Sequence, residues 1–373
     1  MDIVLLVGSL AIILIGAELF TNGIEWFGHK LNLAEGAVGS VLAAVATAMP
    51  ETLIPIIAIV GPVLTGSSHP ASAEVGVGAI LGAPFMLATL AMFITGLAII
   101  LFARGGRRGS QMVVNVRVLG RDVGFFIVAY GLAIGAAFLP TPIHWLKWVV
   151  APVLLILYAV YVRAHFTDEP EEGEASELNR LHLTRLRAMR GSGVVDVEML
   201  PHLSGTANRP ARTEPRLRII VAQVLVALAL IILGARTFVG AVEHLSTVIG
   251  LDGRILALII APIATELPEK FNSVIWVRAR KDTLAMGNIT GAMVFQSCVP
   301  TVLGVLFTDW VFTAQSALSF ASAGAAFVAT ILIFGSMLRR GVLSAWSLLI
   351  GGPIYVTYVA AALFLPVGAA AGH

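Results

Sequence analysis

Two glutamates of this chain, Glu51 and Glu269, stand in the same local pattern. Each directly follows a proline, Pro50 or Pro268, and each lies four residues after a threonine, Thr47 or Thr265. A proline inside a helix has no N–H to donate, and its ring clashes with the carbonyl four residues earlier. Pro50 therefore perturbs the carbonyl of Ala46, and Pro268 that of Ala264. Residues four apart share a helix face, so each pattern gathers carbonyl, hydroxyl and carboxylate oxygens. These are hard ligands that suit a hard cation such as calcium or sodium. The threonine hydroxyls have an alternative, because in a membrane helix they also bond their own backbone. The second pattern carries an extra carboxylate, Glu266, with Lys270 one turn on. Glu266 is either a further ligand or the ion-pair partner of that lysine. As a ligand it would crowd three carboxylates into low dielectric, where they repel one another. A proton held among them can be exchanged for a cation.

The setting makes these charges costly. The chain has 373 residues, of which 58% are hydrophobic and 12% charged, and its mean hydropathy is +0.91. A soluble protein carries about 25% charged residues. The composition is that of an all-α integral membrane protein whose solvent is the lipid bilayer. A charge near the bilayer centre costs several kcal/mol, so carboxylates there read as functional. The net charge of +2, with no exposed basic domain, argues against a nucleic-acid partner. A single cysteine, Cys298, excludes an internal disulfide framework. Eight histidines without metal-ligand spacing, no catalytic dyad and no phosphate-cradling glycine loop argue against an enzyme, and no cofactor is expected.

Apolar runs long enough to cross a hydrocarbon core of about 30 Å fall at 3–22, 36–64, 75–103, 123–140, 146–163, 217–239, 254–277, 284–308, 315–338 and 342–365. The first lacks a basic leader and reads as a retained helix. With the N-terminus outside, every inner loop is basic. Those loops hold Lys30, then Arg104, Arg107, Arg108, Arg117 and Arg121, then the arginines from Arg163 to Arg218, then Arg278, Arg280 and Lys281, and last Arg339 and Arg340. Only Lys147, Arg236, Arg254 and Lys270 of the 24 basic residues fall elsewhere. This bias orients a membrane protein. It places both termini outside and the polar segment 164–216 in the cytoplasm. Within that loop, leucines at 178, 181 and 186 with arginines at 180, 185, 187 and 190 suggest either a basic helix contacting anionic lipid or a solvated linker. Short loops point to a prokaryotic inner membrane.

The sequence also repeats itself. Gly16, Ala17, Phe20 and Glu25 recur as Gly234, Ala235, Phe238 and Glu243, all at one offset. At the same offset Ala46, Thr47, Pro50 and Glu51 recur as Ala264, Thr265, Pro268 and Glu269. After a nine-residue loop contraction, Gly78-x-x-x-Gly82-Ala83 recurs as Gly287-x-x-x-Gly291-Ala292. Five helices per half place the second half upside down, the plan of many secondary transporters. The expected architecture is ten transmembrane helices in two inverted five-helix repeats, 1–163 and 217–373, with broken second and seventh helices. The Gly-x-x-x-Gly pairs should press the third and eighth helices against the broken ones. Asn288 and Gln296 bring polar atoms to the eighth helix, where the third has Ala79 and Leu87. Asn288 is a ligand or an interhelical hydrogen-bond donor. Glu18 and Arg236 are structural or line a pathway, and Glu25 and Glu243 read as solvated helix ends.

These motifs resemble the calcium:cation antiporter superfamily, which includes sodium/calcium and calcium/proton exchangers. The resemblance covers roughly 16–100 and 234–310. The family pattern is Thr-Ser-x-Pro-Glu, then Gly-Ser-Asn-x-x-Asn or Asp on the next helix. Here the first stretch reads Thr47-Ala48-Met49-Pro50-Glu51 and the second Thr265-Glu266-Leu267-Pro268-Glu269. The resemblance implies Glu51 and Glu269 as central cation ligands with Thr47 and Thr265 beside them. The candidate set is thus Glu51, Glu269, Thr47, Thr265, Glu266, Gln296 and Asn288. The family's serines are replaced by Ala48, Glu266, Ala83 and Ala292, and its late Asn/Asp by Leu87 and Gln296. In the sodium/calcium branch those groups help hold sodium, so the departures favour calcium/proton exchange by alternating access. Sodium/calcium exchange, a non-coupled channel and a non-transporting relative remain the alternatives.

Overall fold

Backbone exposed to lipid must satisfy its own hydrogen bonds, so helix is the form this composition dictates. The computed structural model describes residues 2–30, 48–65, 70–106, 108–167, 215–250, 253–278, 280 and 282–364. Helix α1 is Asp2–Lys30. Helix α2 begins as Met49–Pro55, loosens into a π turn at Ile56–Val60 and ends as Gly61–Thr65. Helix α3 runs as Pro70–Met86, passes through a π turn at Leu87–Ala91 and continues as Met92–Arg104. Then come α4 (Val116–Ala136), α5 (Lys147–Thr167), α6 (Leu217–Ile249), α7 (Gly253–Arg278), α8 (Asp282–Phe307), α9 (Ala317–Arg340) and α10 (Gly351–Phe364). Two short strands, β1 (Gln111–Met112) and β2 (Leu343–Ser344), pair antiparallel and tie the α3–α4 loop to the α9–α10 loop.

Among the described residues seven helices are long and apolar enough to cross a membrane. Their outward faces are apolar as well: Leu155, Ile156 and Val160 on α5, Leu225 and Leu233 on α6, and Ile331 and Leu332 on α9 are all exposed. That is the surface of a protein bathed in lipid.

Two expectations need correction. The fourth span starts at Val116 rather than 123. The side chain of Asn115 accepts hydrogen bonds from the backbone N–H groups of Arg117 and Val118, and this cap starts a helix whose first turns carry Arg117 and Arg121. Those arginines had marked the stretch as loop. The seventh helix is not broken: helical backbone runs from Gly253 to Arg278 through both Pro262 and Pro268. Each proline removes one N–H, and in lipid every further unpaired backbone group is costly, so the flanking turns keep the helix. In α2 the expectation fares differently. The helix begins at Met49 with Ala48 as its cap and Pro50 in the first turn, where a missing N–H costs nothing. Residues 31–47, including Thr47, lie outside the described residues, as does the 178–190 segment.

The helices cross in a consistent order. In α1 and α6, a Cβ at Gly16 would meet Ile231 and the Ala227 carbonyl, while a Cβ at Gly234 would meet Ile13 and the Ser9 carbonyl. Each residue of one set is the repeat equivalent of one in the other, as in a contact across a two-fold axis. Trp26 packs on Ile220 at the far end, so the pair is antiparallel.

The apolar core falls into two clusters. One joins α1 and α6 with parts of α2, α3 and α7. The other joins α4, α5, α8, α9 and α10 with the remaining parts of α2, α3 and α7. Helices α2, α3 and α7 thus form the seam between the clusters, and two of the three carry the Pro-Glu patterns.

Candidate functional site

The seam is tight where α3 meets α7. An added Cβ at Gly78 would lie 2.1 Å from the Arg254 carbonyl oxygen, and one at Gly82 would lie 2.3 Å from that of Leu258. Only glycine lets two helix backbones approach this closely. Leu258 stands four residues before Pro262, so its carbonyl lacks the usual helical donor, and the Gly82 backbone lies directly against it. Near the N-terminal ends of both helices, Arg254 pairs with Glu74 at 3.2 Å. The second glycine pair behaves otherwise. A Cβ at Gly291 would meet the Tyr161 hydroxyl of α5 at 3.3 Å, and at Gly287 nothing among the described residues comes within 4 Å. The stretch of the second helix equivalent to Arg254–Leu258 falls in 31–47, outside the described residues.

Glu51 is buried in the first turn of α2, 5% exposed. Its segment packs against α1, α3, α6, α7 and α8, so the carriers of all the described candidate residues converge there. Next to it, the Thr52 hydroxyl donates to the Ala48 carbonyl at 2.8 Å, the local use of a threonine that competes with ligation. Pro55 has no N–H to give the Glu51 carbonyl four residues before it. Gln296 is buried on α8, and Asn288 is half-buried on the same helix. The side chains of Thr265, Glu266, Glu269 and Lys270 lie outside the described residues, although their backbone is helical. The structure therefore brings the helices of Glu51, Gln296 and Asn288 together.

Two features escaped the sequence reading. Pro300 stands four residues after Gln296 and cannot donate to its carbonyl. The Thr301 hydroxyl does so instead, at 2.9 Å. At the equivalent level of α3, Leu87 opens the π turn Leu87–Ala91, a distortion common at functional sites. Both helices are thus irregular at matching places. The signal available was a proline four residues after a candidate ligand, the pattern already noted for Pro268. The second feature is Asp122 on α4, 1% exposed. It accepts hydrogen bonds from the hydroxyls of Tyr161 (3.1 Å) and Thr290 (2.6 Å). The buried stripe Leu119, Val123, Phe126, Tyr130 and Ala133 already put position 122 on the inner face; starting the span one residue later hid it.

Glu243, read as solvated, is half-buried and accepts a hydrogen bond from Ser72 of α3. The loop after α3 and the start of α8 are joined by a buried bidentate pair, Arg108 to Asp282, both contacts 2.7 Å. The backbone N–H of Val113 also donates to Asp282.

A family model described as sodium/calcium exchanger protein matches residues 1–166 and 219–365. Among solved structures, an H+/Ca2+ exchanger, CAX, is similar with a TM-score of 0.68 at 16% identity, covering 98% of this chain and 82% of the other. The sodium-calcium exchanger NCX_Mj, soaked with Na+ and Sr2+, gives 0.55 at 15% identity, covering 98% and 99%. No curated protein matches the sequence.

Proposed function

The chain belongs to the sodium/calcium exchanger protein family, and from that premise we propose that it is a secondary cation antiporter exchanging calcium for protons by alternating access. The observation that carries the reading is the buried carboxylate of Glu51. It sits in the first turn of a helix at the seam, surrounded by the helices that hold Gln296, Asn288 and Glu269. Glu51 and Glu269 serve as the paired cation ligands, with Thr47, Thr265, Glu266, Gln296 and Asn288 completing the oxygen set. The reciprocal contacts of α1 and α6 support two inverted halves, 1–163 and 217–373, and the basic bias of alternate loops supports ten spans with the N-terminus outside and 164–216 inside. Alternating exposure of a midplane site fits that symmetry.

Protons are favoured over sodium as counter-ion by the side chains at the positions where the family carries hydroxyl and amide groups. Ala48, Ala83, Leu87 and Ala292 are all buried, and none offers a side-chain oxygen. Sodium needs several oxygens, whereas a proton needs one carboxylate. The family's description supports the sodium reading, which is the alternative. The α3 and α8 helices are interrupted at equivalent positions, by the π turn Leu87–Ala91 and by Pro300, whose missing donor to the Gln296 carbonyl is replaced by the Thr301 hydroxyl.

The test is calcium-45 uptake into proteoliposomes, driven by a proton gradient and then by a sodium gradient. Proton-driven uptake, lost in both Glu51→Gln and Glu269→Gln, is the expected result. Uptake with sodium alone would overturn the proton assignment. Uptake with no counter-ion gradient, accompanied by current, would mark a channel.

A further inference from the structure

Asp122 has no part in the proposed exchange site, yet it is among the most deeply buried charged groups in the described chain. Its surroundings come from three helices. From α8, Thr290 donates to Oδ2 at 2.6 Å. From α5, Tyr161 donates to Oδ1 at 3.1 Å, and His165 Nε2 stands 3.5 Å from the same oxygen. Its sequence neighbour Arg121 directs its guanidinium to the Ala164 carbonyl at 3.0 Å, at the inner end of α5. Among the described residues these are the charged and titratable groups around it. His165 Nδ1 is buried with no hydrogen-bond partner among the described residues, and its ring lies 4.6 Å from that of Tyr161.

Position matters here. Helix α8 carries Asn288 and Gln296. At about 100° per residue, Thr290 lies on the opposite side of α8 from Asn288. Asp122 therefore grips α8 from behind while its front faces the seam. We infer that Asp122 is a positioning residue for the exchange site: it anchors α8 to α4 and α5 through Thr290 and Tyr161. Two hydroxyl donors from different helices converge on one buried carboxyl group, so removing that acceptor releases both helices at once. The inference rests on the proposed role of α8 in ion binding.

The chain carries its own reporter, since its single cysteine, Cys298, is buried on α8. The full-length protein in detergent is labelled with a small maleimide at one fixed pH, so thiolate content is the same for every variant, and calcium KM is measured on the same variants in proteoliposomes. Asp122→Asn should label about tenfold faster than wild type, the scale of one lost charged hydrogen bond. It should also raise the calcium KM more than it lowers the maximal rate. An unchanged KM in Asp122→Asn would overturn the inference, as would labelling within about twofold of wild type. If Asp122→Asn does not fold, Thr290→Val, which removes the α8 donor, decides by the same two readouts. Cys298 labelling does not involve transport, so failure of the exchange reading, seen as intact flux in Glu269→Gln, remains distinguishable.

Discussion

Helices α3 and α8 occupy equivalent places in the two halves of the sequence, yet they do different work. Helix α3 is apolar at the positions where α8 is polar: Ala79 and Leu87 stand opposite Asn288 and Gln296. Its glycines are consumed by packing, with the carbonyls of Arg254 and Leu258 filling the space a side chain would need. Among the described residues helix α8 has more room at Gly291, where Tyr161 is the neighbour. It is held by polar anchors, Arg108 at its start and Asp122 behind it. One copy packs as a scaffold, and the other carries the polar groups assigned to the proposed lining. A duplicated framework need not yield a symmetric site, because each copy of a glycine or amide is free to be used differently once the backbone is fixed.

That contrast can be broken most severely at the Arg108–Asp282 pair, which joins the loop after the scaffold helix to the start of the polar one. Arg108→Gln leaves a buried carboxylate without its partner, and such losses cost about 3–5 kcal/mol. Denaturation of the purified protein in detergent should show it as the largest fall in midpoint of the set; a change under about 1 kcal/mol would mean the pair is dispensable. Next come the two glycine pairs. Gly82→Ala places a methyl against backbone that cannot swing aside, with an expected loss of about 1–3 kcal/mol. Gly287→Ala should change the midpoint by less than about 0.5 kcal/mol. Equal effects would show that the two copies pack alike after all. A smaller loss than at Gly82 is expected for Thr301→Val, which removes one hydroxyl from the Gln296 carbonyl, about 1 kcal/mol. Its sharper readout is calcium affinity, because the freed carbonyl lies at the level of the site. No change in KM would take that carbonyl out of the proposed lining.

Much of this organisation was legible from residue order. Apolar runs of about 20 residues in a chain with 12% charge have no stable place but a bilayer, and lipid leaves helix as their form. The Thr-x-x-Pro-Glu patterns marked Glu51, and the structure buries it where several helices converge. Gly78 and Gly82 were legible as contact residues because only a missing side chain permits backbone contact. These inferences depend on local chemistry and on what lipid forbids.

Tertiary structure decided the rest. A proline reports a lost N–H but not what the surroundings do about it: α7 stays helical through Pro262 and Pro268, and Thr301 covers for Pro300. Asp122 looked like the edge of a loop because Arg121 precedes it. Its burial depends on α5 and α8 delivering Tyr161, His165 and Thr290 from 39 to 168 residues away. Nor does the sequence say that Gly82 meets Leu258 while Gly291 meets Tyr161. Spacing along the chain fixes which atoms are offered, and only the packing of distant helices fixes which atoms answer them.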